Sequence, residues 1–312
     1  MDVVLLFPGQ GSQKPGMGKD LSDAFAGARE VFAEADSALG IPLSRICFEG
    51  PADELTATQN AQPALLAHGA AVWAVTKQAL ASKVRAAAGH SLGEHTAYHA
   101  AGSIDLPNAV KLVRRRGELM NETGVARPGT MAAILGKTST GISDICTQAS
   151  GEAGLVVPAN YNSDEQTVIS GEVAGVERAM ELAKAAGAKR AIRLPVSGAF
   201  HSPLMEPAAT GFKIAVDAAP YRDPAFPIYS NVDARPSTTA AHAREMLFRQ
   251  LTAPVIWSTV VRNIAADIPG ALYVEMGPGA VLSGLVPRLV PGAKAVSCGT
   301  PADVEKLLQM VA

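Results

Sequence analysis

Five apolar residues in a row, Val3 to Phe7, are followed at once by Pro8-Gly9-Gln10-Gly11-Ser12-Gln13. The apolar run predicts a buried first strand, and the glycine-rich stretch a loop that brings backbone close to a neighbour. Helical runs follow over about 24–38 and 63–80, the second with Pro63 as its first helical residue. A mostly apolar stretch over 84–88 predicts a second strand, leading into a helical run over 92–101. A helix from about 107 to 122 then carries Arg114, Arg115 and Arg116 on its later half.

Between about 129 and 195 the pattern changes. Strands are predicted at 131–135, 155–159, 167–170 and 190–194, with helices at 139–150 and 173–186. The order β-α-β-β-α-β is the ferredoxin-like unit, and its length fits a small inserted domain. Residues 1–128 and 196–312 then form one large domain, entered again through the loop 197–203. Further strands are predicted at 228–231 and 272–275, and helices at 240–251 and 257–266, before the turn Met276-Gly277-Pro278-Gly279.

Composition narrows the classes open to such a fold. At 312 residues with 48% hydrophobic and 18% charged residues, the chain can bury a substantial core. A formal net charge of −2 argues against general nucleic-acid binding, which needs concentrated Lys and Arg. Cys47, Cys146 and Cys298 are far apart, so neither a zinc site nor a disulfide framework is indicated and buried free thiols are expected. The apolar N-terminal run is too short for a signal peptide or a membrane span. A cytoplasmic protein is expected, with earlier removal of a transit peptide left open.

The candidate chemistry centres on Gly89-His90-Ser91-Leu92-Gly93, a G-x-S-x-G pattern between a predicted strand and a predicted helix. It reads as a nucleophile elbow, which presents a serine hydroxyl at the positive end of a helix for acyl transfer. This elbow and the strand pattern predict an α/β class, with an α/β-hydrolase-like large domain around a mostly parallel sheet. A serine needs a base. His90 adjoins Ser91 but is expected to point away from it; His68, His95, His99 and His242 lie in helical runs and read as packing or surface residues. His201 lies in the small-residue loop Ser197-Gly198-Ala199-Phe200-His201-Ser202-Pro203 and is preferred as the base. No acidic residue follows a triad pattern, so a backbone carbonyl holding the ring is the alternative. Leu92 supplies a backbone N–H for an oxyanion, with Gln10 in the glycine loop as the second donor. An arginine near the serine would select an acyl group bearing a carboxylate, although on spacing alone the three arginines read as a solvated helix face.

Taken in order, Phe7-Pro8-Gly9-Gln10-Gly11-Ser12-Gln13, Gln62-Pro63-Ala64-Leu65, Gly89-His90-Ser91-Leu92-Gly93-Glu94, Arg116-Gly117, Gly198-Ala199-Phe200-His201-Ser202, Asn231-Val232 and Glu275-Met276-Gly277-Pro278-Gly279 resemble the malonyl-CoA:acyl carrier protein transacylases nearly end to end. The resemblance implies Ser91 as nucleophile, His201 as base, and Gln10 with the Leu92 amide as oxyanion hole. It implies Arg116 as the clamp for a malonyl carboxylate, Gln250 as the residue whose main-chain carbonyl orients the histidine, and Asn160 lining the cleft. It further implies malonyl-CoA as donor, no bound cofactor or metal, an acyl carrier protein as partner, no nucleic-acid or membrane partner, and a monomer. Ser163-Asp164-Glu165 departs from the family pattern, as do His95 and His99. Lys184, Lys189, Arg190 and Arg193 are basic positions that would suit an acidic carrier, with a solvated face as the simpler reading. Two other readings compete: a serine hydrolase, which predicts a Ser-Asp-His order, and a non-catalytic docking module.

Overall fold

The computed structural model describes residues 1–196 and 198–312; Ser197, which opens the predicted return loop, lies outside the described residues. Among the described residues ten strands form two sheets: β1 (Val3–Phe7), β2 (Val84–Gly89), β3 (Thr130–Leu135), β4 (Val156–Ser163), β5 (Gln166–Gly171), β6 (Arg190–Arg193), β7 (Ile228–Tyr229), β8 (Pro236–Ser237), β9 (Leu272–Met276) and β10 (Lys294–Cys298).

The larger sheet runs β10-β9-β1-β2-β7-β8, parallel throughout except for the β7–β8 pair. Every residue of β1 and β9 is buried, as a parallel strand covered by helices on both faces requires. The two faces of β1 feed two cores. Val3, Leu5 and Phe7 pack with the helix Thr58–Leu80, whereas Val4 and Leu6 pack with Trp257, Val260 and Ile264 of the helix Trp257–Asp267. In β2 the run Ala86-Ala87-Ala88 keeps side chains short on both faces, so helices approach the sheet closely beside the elbow.

The smaller sheet is antiparallel in the order β4-β5-β3-β6. Ala132, Ile134, Val156 and Ile169 form one apolar face against Ile145, Cys146, Val176 and Ala179 of the helices Ile142–Ala153 and Val173–Ala185. Met131, Ala133 and Val168 face the other way and join the main core. The sheet is also stitched to the chain beyond residue 250: Val255 N donates to Ala159 O at 2.8 Å, and Tyr161 N donates to Val255 O at 2.9 Å. Of the Ser163-Asp164-Glu165 departure, Ser163 ends β4 and Asp164-Glu165 make the turn into β5, where Asp164 takes two 2.8 Å hydrogen bonds from Arg262 Nη2.

Several elements differ from the sequence expectation. Pro63 does not begin its helix but sits inside Thr58–Leu80, where its missing N–H leaves the Gln59 carbonyl without an intrahelical donor. Arg114 Nη1 reaches that carbonyl at 3.3 Å and Asn60 Oδ1 at 2.5 Å, which explains how an interior proline is accommodated. The strand expected at 228–231 pairs only over β7, because Ser230 and Asn231 turn away into side-chain hydrogen bonds. The helices Leu43–Glu49, Ala52–Thr56, Glu206–Ala218, Val281–Leu289 and Pro301–Val311, and strand β10, go beyond the predicted elements. All three cysteines are free and buried, and among the described residues no helix is long and apolar enough to cross a membrane.

If Arg114 compensates for Pro63, Arg114→Met should destabilise the chain by about 1–2 kcal/mol, the usual cost of stranding a polar group. Urea denaturation measures this; an unchanged midpoint would show that water serves the carbonyl equally well.

Candidate active site

Strand β2 ends in a turn so tight that only glycine fits two residues before and two residues after the serine. A Cβ at Gly89 would lie 1.9 Å from the Gly93 carbonyl carbon, and one at Gly93 would lie 2.0 Å from Phe7 O. Between them Ser91 adopts φ 51°, ψ −107°, a strained conformation for a residue with a side chain. Asn231 clips the turn: its Nδ2 donates to Gly89 O at 2.7 Å and its Oδ1 accepts from Ser91 N at 2.7 Å. The Ser91 amide is thereby occupied. The Leu92 amide, first in the helix Leu92–Ala100, has no acceptor among the described residues.

The Ser91 hydroxyl lies 2.8 Å from His201 Nε2. His201, with φ 55°, is 4% exposed, and its Nδ1 meets the main-chain oxygen of Gln250 at 2.8 Å. An Nδ1–H donated to that oxygen leaves Nε2 as the lone-pair nitrogen facing Ser91. Burial, reinforced by the charge of Arg116, lowers the His201 pKa from 6.5 to about 3, so the ring is neutral at physiological pH.

Arg116 lies in the helix Leu106–Ala126 and is 1% exposed. It is the one arginine of the three that turns inward; Arg114 and Arg115 pair with Glu118 nearer the surface. Its Nη1 donates to Gln62 Oε1 at 2.8 Å, and its Nη2 approaches Gln250 Oε1 at 2.9 Å and Ser91 Oγ at 3.2 Å. Its Nε has no partner among the described residues. Burial lowers its pKa only to about 10, and the Glu94 carboxylate works the other way, so the guanidinium stays charged.

A cleft of about 430 Å³ opens over these groups, lined from the large sheet's side by Gln10, Ser91, Leu92, Arg116 and His201 and from the small sheet's side by Asn160. All the predicted site residues except Gln250 line this cleft; Gln250 lies beneath it, fully buried. Gln10 Nε2 donates to Thr58 Oγ1 at 3.3 Å. Asn160 Nδ2 stands 3.4 Å from His90 Nε2, and Asn162 Oδ1 lies 2.9 Å from the same nitrogen, so the His90 ring is held on the small-sheet side. The four basic positions Lys184, Lys189, Arg190 and Arg193 are exposed, with Arg193 paired to Glu177. An arginine and a neutral histidine converging on one serine hydroxyl suit covalent capture of an acyl group that carries a negative charge.

Comparison with known proteins agrees. Residues 4–298 match the acyl transferase domain family. A malonyl CoA-acyl carrier protein transacylase of Bacillus subtilis (strain 168) is 45% identical over 307 residues, 98% of this chain and 96% of the relative. The chain belongs to the malonyl-CoA:acyl carrier protein transacylase family. The transacylase of that name from Escherichia coli (strain K12) is 41% identical over 98% of this chain and 99% of its own length. The solved acyl-carrier-protein-S-malonyltransferase of Bartonella henselae superposes with a TM-score of 0.95 at 43% identity, covering 100% of this chain and 99% of its own. A malonyl-transacylase solved in complex with its type II PKS acyl-carrier protein superposes at 0.94 with 39% identity, over 99% and 100% of the two chains. As a member of this transacylase family, the chain is an acyltransferase.

Sequence reasoning assigned no role to four residues that hold this candidate site together. Gln62 and Asn231 stood inside recognised motifs, yet their side-chain partners are 54 and 140 positions away. Asn162 orients His90, and Glu94 passes for an ordinary acid in the first turn of a helix. Glu94 is in fact fully buried.

His95, which departs from the family pattern, is also buried, edge-on to Phe212 with ring centroids 5.8 Å apart, and neither ring nitrogen has a partner among the described residues. Burial, then the Arg116 charge, holds its pKa well below 6.5. Folding therefore requires the neutral ring, and stability tied to His95 is lost as pH falls below 6.5, where the unfolded chain takes up the proton. His95→Phe should raise stability by about 1–2 kcal/mol at pH 7.5 and by more at pH 5. Denaturation at both values checks this; a gain that shrinks at pH 5 contradicts it.

Proposed function

We propose that the chain moves a malonyl group from malonyl-CoA to the phosphopantetheine thiol of an acyl carrier protein through a malonyl ester on Ser91. The observation that carries this reading is the position of the Ser91 hydroxyl, 2.8 Å from His201 Nε2 and 3.2 Å from Arg116 Nη2. In the first half-reaction His201 Nε2 takes the hydroxyl proton as Oγ bonds to the thioester carbon. The carbon–sulfur bond then breaks, and the proton passes to the departing thiolate of coenzyme A. In the second half the carrier's thiol gives its proton to His201 and its sulfur attacks the ester carbon. The carbon–oxygen bond breaks, and the proton returns to Ser91. The order is ping-pong, on a Ser-His dyad whose orienting group is the Gln250 carbonyl.

The unoccupied Leu92 amide, at a helix start, and the Gln10 amide in the glycine loop are the donors for the oxyanion. Arg116 grips the malonyl carboxylate: acylating Ser91 turns its hydroxyl oxygen into an ester oxygen, a weaker acceptor for Nη2, and the malonyl carboxylate takes up the guanidinium instead. Asn160 borders the acyl group from the opposite wall.

The same reading divides the chain into an α/β-hydrolase-like large domain, 1–128 and 196–312, and a ferredoxin-like small domain, 129–195. The strand order β4-β5-β3-β6 and the cleft between the two sheets support that division. One chain contributes every group named, which supports a monomer as the working unit, and a cytoplasmic setting suits its substrates. A relative solved together with its acyl-carrier protein superposes over 99% of this chain, which supports a carrier as acceptor. The serine hydrolase alternative is disfavoured because the imidazole leans on a carbonyl rather than on an aspartate. A docking module has no use for a strained serine paired to a histidine.

Intact-mass measurement after mixing with malonyl-CoA should show one malonyl group on the wild type and none on Ser91→Ala; with carrier protein added, the group should move to the carrier. Release of free malonate as the main product would favour hydrolysis instead. Arg116→Ala should slow malonyl loading by about 100-fold or more, the cost of unpairing a buried charge, while sparing acetyl loading. Equal losses for the two acyl groups would exclude the clamp.

A further inference from the structure

Glu94 is a fully buried carboxylate that takes no part in the steps above. Its Oε2 accepts from Gln250 Nε2 at 2.6 Å and from Asn231 N at 3.1 Å, so it joins the elbow helix to the two segments that hold the elbow. Its Oε1 has no partner among the described residues. A buried charge with half its acceptors idle costs stability.

What it does govern is the direction of an amide. The Gln250 side chain has a donor end and an acceptor end, and Arg116, which can only donate, needs the acceptor. In the structure Gln250 turns Oε1 to Arg116 Nη2 at 2.9 Å and Nε2 to Glu94 and to Ser91 O, the latter at 3.2 Å. An ionised carboxylate only accepts, so it holds the amide this way round; reversed, the amide would set a donor against the guanidinium and an oxygen against the carboxylate. Through one glutamine the carboxylate also places a negative charge behind a buried cation.

We infer that Glu94 is a positioning residue for malonyl loading: by fixing which end of the Gln250 amide faces Arg116, it sets the guanidinium for an acyl carboxylate. Burial outweighs the hydrogen bonds from Asn231 and Gln250 and the charge of Arg116, and leaves the Glu94 pKa raised to about 7. The orienting carboxylate is therefore the prevailing form above pH 7, and those three contacts favour it. A neutral amide in its place can turn either way, and loses both the orienting power and the counter-charge.

This inference rests on the malonyl-serine reading, and its test separates the two. Rates of Ser91 loading from malonyl-CoA and from acetyl-CoA are followed by quenched intact-mass measurement for the wild type, Glu94→Gln, Gln250→Ala and the double variant. Glu94→Gln should slow malonyl loading about ten- to a hundredfold, the range for losing a hydrogen bond to a charged group, and acetyl loading much less. The double variant should be no slower than Gln250→Ala, because Glu94 then has no amide left to direct. Wild-type malonyl rates in Glu94→Gln, equal losses for both acyl groups, or losses that multiply in the double variant would each overturn the inference. If Glu94→Gln does not fold, Glu94→Asp, which withdraws the carboxylate by one methylene, is read by the same ratio. A wild type that takes up no malonyl group would sink the underlying reading; a loading wild type matched by its Glu94 variant sinks only this one.

Discussion

A guanidinium with almost no access to water has to be supplied with acceptors by the protein, and this requirement shapes the floor of the cleft. Arg116 finds Gln62 on the helix Thr58–Leu80, Gln250 at the end of the helix Ala240–Arg249 and Ser91 at the elbow. Three segments far apart in sequence are thus held to one cation. Leaving a buried charge unpaired costs several kcal/mol, so the geometry around Arg116 is tightly determined. Because the same Gln250 receives His201 through its main chain, the positions of the cation and of the imidazole are set together.

Strain at Ser91 is sustained from outside the turn. The positive φ is unfavourable for a residue with a side chain, and Gly89 and Gly93 only make room for it. Asn231 supplies the restoring force by bonding both sides of the turn, and Glu94 bonds the Asn231 amide from below. The short strand β7 ends two residues before this asparagine and so brings it beside the C-terminal end of β2.

Much of this was legible in the sequence. The buried strand β1, the elbow, and the alternation of strands and helices in the small sheet all carry local signals: an apolar run, glycines flanking a serine, and changes of hydrophobic period. Roles that depend on distant partners carried none. Gln62 is one of several polar residues in the helix Thr58–Leu80, and only the fold reveals Arg116 opposite it. Pro63 misled because a proline just before a helical run is the ordinary start signal, whereas here Arg114, on another helix, serves the carbonyl it strands. The helix Val281–Leu289 escaped notice for a similar reason, with Pro287 inside it, and β10 is an edge strand only partly covered and so lacks a full apolar run.

The acceptor that steers the His201 ring is a peptide oxygen. No single substitution can delete it, since every amino acid brings the same carbonyl to position 250. Scanning the chain with alanine would pass over this contact in silence, and genetic drift cannot erode it one codon at a time. Only a change in the path of the backbone, such as an insertion or deletion near residue 250, can take that oxygen away.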